Sequence, residues 1–77
     1  MIYILLNLDT ANYEGTFRSE AEALAEVRYA VERFGRAYAA SWALGCRDDN
    51  EELAAIAEGD ELIDRAFGVA SAKHPNR

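Results

Sequence analysis

A chain of 77 residues with a formal net charge of −6 makes one small domain, and its sign disfavours direct binding to nucleic acid or to anionic membrane. A hydrophobic content of 51% argues against disorder, although much of it is alanine, so the few large apolar side chains should lie inside. The single cysteine, Cys46, excludes an intramolecular disulfide and a CxxC metal cluster, and it fits a reducing cytoplasm.

In chain order, Ile2–Leu8 reads as a strand that is aliphatic on both faces, with Ile2, Ile4, Leu6 and Leu8 on one side and Tyr3, Leu5 and Asn7 on the other. It is too short and lacks the basic leader for a signal peptide or a membrane span. Asp9-Thr10-Ala11-Asn12 is a turn cluster. Tyr13–Phe17 is a second strand, with Tyr13 and Phe17 expected on one face around Gly15. Ser19-Glu20-Ala21-Glu22 is a capping box: the Ser19 hydroxyl accepts from the N–H of Glu22, and the Glu22 carboxylate reaches back to the N–H of Ser19. A helix over 20–34 follows, with Leu24, Val27, Val31 and Phe34 on an apolar stripe filled by Ala23 and Ala30. A left-handed Gly35 is expected to end it.

The next six residues, RAYAAS, predict one irregular or 3₁₀ turn. Ser41–Arg47 alternates Trp42, Leu44 and Cys46 with Ala43, Gly45 and Arg47, the period of a strand. Asp48–Glu51 is a polar turn. Glu52–Glu58 reads as the second strand of a hairpin, with a short helix capped by Asn50 as the alternative. Asp60 is expected to cap a second helix whose stripe is Leu62, Ile63, Ala66 and Phe67, closed by Gly68. The polar tail, residues 71–77, is expected to fray from an otherwise single domain. The predicted fold class is α+β, ββαββα: a four-stranded antiparallel sheet in the order 2-1-3-4 with both helices on one face. The opposite face would then be open and carry Tyr3, Leu5 and Trp42, a surface for a homodimer unless the irregular turn and tail cover it.

Catalytic chemistry has few candidates. The only histidine, His74, lies in the tail, and Cys46 sits in an apolar alternation that favours an inert thiol. No phosphate-cradling loop, G-x-S-x-G or H-E-x-x-H motif occurs. The run Asp48-Asp49-Asn50-Glu51-Glu52 lacks the alternating ligands and spaced glutamate of a calcium loop. No enzyme activity, metal or cofactor is expected. Arg28–Glu32 and Glu32–Arg36 have the spacing of helical ion pairs.

What remains are three groups of carboxylates: Glu20, Glu22 and Glu26; Asp48, Asp49, Glu51 and Glu52; and Glu58, Asp60, Glu61 and Asp64. Asp48, Asp49, Glu51, Glu52, Asp60 and Glu61 are the expected partner-binding residues, and the expected partner is a basic protein or complex. The strand before EGTF, then SEAEALAEVRYAVERFG and AIAEGDELIDRAFG, together resemble small uncharacterised bacterial or phage α+β proteins over most of the chain. In size, acidity and lack of a catalytic motif the chain is also similar in type to the anti-CRISPR inhibitors of phages. That resemblance implies carboxylates that occupy a phosphate-binding groove on an effector complex, and it brings no residue by motif. The alternative is an accessory or antitoxin-like protein that pairs through its apolar sheet face, with the charge serving solubility.

Overall fold

The computed structural model describes residues 1–68; the expectations for the tail and for His74 lie outside the described residues. Six strands and helices match the expected order, and the six residues after Gly35 add a one-turn helix. The elements are β1 (Ile2–Asn7), β2 (Asn12–Phe17), α1 (Glu20–Phe34), α2 (Arg36–Ala39), β3 (Trp42–Arg47), β4 (Leu53–Glu58) and α3 (Gly59–Ala66). The four strands form one antiparallel sheet in the order β2-β1-β3-β4. The fold is the expected α+β arrangement, and the stretch before Gly59 is strand rather than helix.

Both long helices cover one face. Leu5 and Leu44 are register partners, and they are buried with Trp42 and Ala57 against Ala23, Val27 and Ala30 of α1 and Leu62, Ile63 and Ala66 of α3. Five of these side chains, Leu5, Leu44, Leu62, Ile63 and Val27, are fully buried. Each such burial contributes about 1.5–3 kcal/mol. The helices run antiparallel: Arg65 near the end of α3 donates to Glu20 at the start of α1 at 2.6 Å, and Arg36 after α1 reaches Asp60 and Asp64 in α3. Arg28 joins them at mid-length by donating to the carbonyl of Ala66 at 2.7 Å. The expected helical pairs with Glu32 are therefore not what Arg28 and Arg36 make; both guanidiniums reach across to α3, where carbonyl and carboxylate acceptors are closer to hand.

Local chemistry explains the boundaries, with three departures from expectation. Ser19 caps α1 by accepting from the N–H of Glu22 at 3.1 Å, but the Glu22 carboxylate accepts from the N–H of Arg18 at 3.2 Å instead of from Ser19. Gly35 has φ 95° and ψ 163°, an extended positive-φ conformation outside the left-handed helical region that L side chains rarely adopt. The capping position of α3 is Glu58, because Gly59 turns the chain at φ 62° directly out of β4; Asp60 falls inside the first turn and pairs with Arg36.

A bulge settles the faces of β2. Leu5 pairs with Gly15 and Leu6 with Tyr13, so Glu14 is the extra residue. Phe17 remains on the helix side, packed against the core, while Tyr13 turns to the other face. The expectation that Tyr13 and Phe17 share a face fails for that reason. The uncovered face needs a larger correction. Tyr3, Leu5 and Trp42 do share a face, but it is the one under the helices. Leu5 is 0% exposed and Trp42 3%, so neither can serve as an oligomer surface. The open face carries instead Ile2, Ile4 and Leu6 of β1, Tyr13 and Thr16 of β2, Ala43, Gly45 and Arg47 of β3, and Leu53, Ala55 and Glu58 of β4.

Candidate interaction surfaces

Strand direction distributes the carboxylates. β2 ends and α1 begins at the same end of the sheet as the β3–β4 turn, because Tyr3 pairs with Phe17 and Ile2 with Arg47. The second acidic group, Asp48, Asp49, Glu51 and Glu52, therefore shares an end with Glu20 and Glu22. β4 then carries the chain about 20 Å to the other end before α3 starts. Asp60 and Glu61 consequently lie at the opposite end from the turn, and the six expected partner-binding residues do not make one surface.

Most of these carboxylates have internal work. Glu20 holds Arg65 and Glu22 the backbone of Arg18. Asp60 and Asp64 lie 3.2 and 3.3 Å from Arg36. The hydrogen bond that Arg36 donates to Asp60, and then the one it donates to Asp64, raises its pKa above the ordinary value. Glu61 is likewise engaged. Asp48 organises its own turn: its carboxylate accepts from the N–H of Asn50 at 2.9 Å and of Glu52 at 3.1 Å, while Glu51 sits at φ 62°. The signal that could have separated Asp48 from its neighbours is its place as the first residue of the turn, where an aspartate side chain bonds the backbone amide two residues on.

Asp49, Glu51 and Glu52 are left exposed at the turn with no side-chain ion pair or hydrogen bond among the described residues. Asp49 and Glu51 lie next to the open sheet face, where they line one depression with Met1, Ile2, Arg47 and Asp48. That face has its own relief. Leu53 and Tyr13 stand out at opposite corners, 60% and 64% exposed, and Ile2 is 46% exposed. Ile4 between them is closed off at 3%. Where β2 runs into α1, Ile2, Thr16, Phe17, Arg18 and Glu22 line a second depression that reaches round the sheet to the helix side.

The candidate chemical groups remain apart. Cys46 is a free thiol, half-buried on the helix side of β3. Among the described residues no group of three His, Cys, Asp or Glu side chains could hold a metal ion, and no helix is long and apolar enough to cross a membrane. In the core, Nε1 of Trp42 is buried without a hydrogen-bond partner among the described residues, a cost of about 1–3 kcal/mol that the packing of this ring must outweigh. Its ring lies 5.7 Å from Tyr38, which in turn lies 4.6 Å from Phe34. No family model, curated protein or solved structure matches the chain.

Proposed function

We propose that the protein works by contact and not by catalysis: a small acidic module that docks the β3–β4 turn on a basic surface of a partner protein. The observation that carries this reading is the contrast between acids at the two ends. Glu20, Asp60 and Asp64 are paired within the fold, whereas Asp49, Glu51 and Glu52 project from a turn that Asp48 holds in shape. Charges on a preformed turn lose little conformational freedom on binding, and Arg or Lys on a phosphate-binding groove would meet them with charge-assisted hydrogen bonds. Occupying such a groove blocks nucleic acid from it, the action expected of an inhibitor of the anti-CRISPR type. The uncovered Ile2, Tyr13 and Leu53 favour a second reading, in which an apolar surface on an accessory or antitoxin-like protein carries the binding.

Affinity capture from the host lysate with three baits tests both. Capture of a basic protein by the parent chain should weaken as salt rises, and reversal of Asp49, Glu51 and Glu52 to Lys should abolish it while leaving the melting temperature within about 2 °C. Reversal of Asp60 should leave capture unchanged. If the turn variant still captures the partner while Leu53→Glu loses it, the second reading replaces the first.

A further inference from the structure

We infer that the free edge of β4 takes an added strand: an extended segment of the partner protein, apolar at its centre and basic at both ends, pairs with the run Leu53–Ala55. This deepens the reading above and rests on it only for the positive charge of the partner.

The hairpin register identifies the unused backbone groups of β4. The N–H of Asp48 donates to the carbonyl of Glu52 at 3.3 Å, which closes the hairpin. In an antiparallel pair, residues that bond across alternate with residues that turn their N–H and C=O outward. Ala54, opposite Cys46, is therefore the next residue of β4 to bond β3. Its carbonyl does point that way, lying 3.1 Å from the place that a Cβ on Gly45 would occupy. Leu53, opposite Arg47, and Ala55, opposite Gly45, then direct their N–H and C=O away from β3. β4 is the last strand of the sheet, and Leu53, Ala54 and Ala55 are all exposed.

Backbone chemistry, space and charge select the occupant. A row of unused N–H and C=O groups is satisfied by another extended chain. Leu53–Ala55 has no charge, proline or bulge, the devices that guard an edge; the bulge of β4, at Ile56, falls beyond it. β2, at the other edge, is broken at mid-length by its bulge at Glu14. The methyl groups of Ala54 and Ala55 leave room on both faces for larger aliphatic side chains of the added strand. Glu51 and Glu52 flank the run at the turn and Glu58 at its far end, none of them in an ion pair among the described residues. A second copy does not fit. Antiparallel pairing of two β4 edges brings the acidic turn of each to the Glu58 of the other, and parallel pairing brings the two turns together; like charges repel in both. A segment with Arg or Lys at each end meets both groups of carboxylates instead.

The test uses the isotope-labelled full chain and a blocked peptide, Arg-Lys-Val-Thr-Val-Lys-Arg, titrated to millimolar concentration and followed by NMR. The amide signals of Leu53 and Ala55 should shift most. Ala55→Pro removes an outward N–H at a place where an edge strand tolerates proline; it should leave the circular dichroism unchanged and raise the dissociation constant at least about tenfold. The same peptide N-methylated at its three central residues keeps its charge but loses its backbone donors, and it should weaken as much against the unaltered chain. A peptide with Glu in place of Arg and Lys should not bind. Shifts confined to residues 48–52, or equal binding of the N-methylated peptide, would overturn the inference while leaving the turn reading intact, since that reading is judged by capture and needs no strand pairing. A parent chain that dimerises in sedimentation equilibrium and becomes monomeric on Ala55→Pro would give the edge to a second copy and overturn it too.

Discussion

Replacing Arg28 by Met separates two accounts of one charge. As the helical partner of Glu32, Arg28 would contribute about 0.3–0.5 kcal/mol. In the structure it donates from α1 to the carbonyl of Ala66, the last residue of α3, at 2.7 Å and in a partly buried setting. Hydrogen bonds from charged donors contribute about 1.5–3 kcal/mol, and an abandoned buried acceptor costs a similar amount. Two other carbonyls of that helix end have local donors: Ile63 accepts from Phe67 and Arg65 from Gly68, whereas Ala66 has Arg28. Met keeps the packing of the aliphatic stem and removes only the guanidinium. We expect Arg28→Met to cost about 2 kcal/mol. At about 4–8 °C per kcal/mol for a domain of this size, the melting temperature should fall by roughly 8–16 °C. Glu32→Gln should change it by less than about 2 °C. Thermal melts followed by circular dichroism, with urea titrations to check that the m-value is constant, read both variants. If the two variants shift stability equally and slightly, the inter-helix bond contributes nothing and the account of how α3 is held is wrong.

Two other substitutions probe the ends of α1. Ser19→Ala removes the acceptor for the N–H of Glu22 while leaving the Glu22–Arg18 bond in place; it should cost about 1 kcal/mol, and a melting temperature unchanged within error would show that the cap is not formed. Gly35→Ala meets no atom within 4 Å, so only its φ of 95° opposes a side chain; a loss of about 1–3 kcal/mol in urea titration is expected, and a stabilised variant would mean that the chain leaves α1 by another route.

The sequence carried the strands and the helices because each has a local cause. Ser19 and Glu22 mark a helix start, Gly68 a helix end, and the alternation of Trp42, Leu44 and Cys46 with Ala43, Gly45 and Arg47 a half-buried strand. What was not legible depends on pairing between distant segments. β1 is apolar on both sides, so its own residues cannot say which side the helices cover. β3 can: its large side chains all lie on one face and its small or charged ones on the other. Register then transfers that polarity, since Leu5 pairs with Leu44 and Tyr3 with Cys46. In a chain with few large apolar residues, Trp42 belongs in the chain's own core, where it is 3% exposed. Tyr13 was harder, because only the bulge at Glu14 turns it to the open face, and no residue there other than the flanking glycine signals it.

The same reasoning fixes what the acidic surface can be asked to do. A count of carboxylates treats Asp48, Asp60 and Asp49 alike, and the bonds they make do not. Asp48 accepts two backbone amides of its turn and Asp60 shares Arg36 with Asp64, so each is already engaged within the fold. The side chains of Asp49, Glu51 and Glu52 make no ion pair or hydrogen bond among the described residues. Natural chains keep net charge away from zero for solubility, and scattered exposed carboxylates achieve that without any particular turn. A rigid turn with its own aspartate bracket, set at the rim of the one apolar face that the helices leave bare, is a different object. Its apolar residues can exclude water from the centre of a contact and its carboxylates can orient the rim, the division of labour found in specific interfaces. That arrangement ties the charge to the sheet face, so a surface that works through both should lose binding when either Leu53 or the turn acids are reversed. One that uses charge only for solubility should lose it with Leu53 alone.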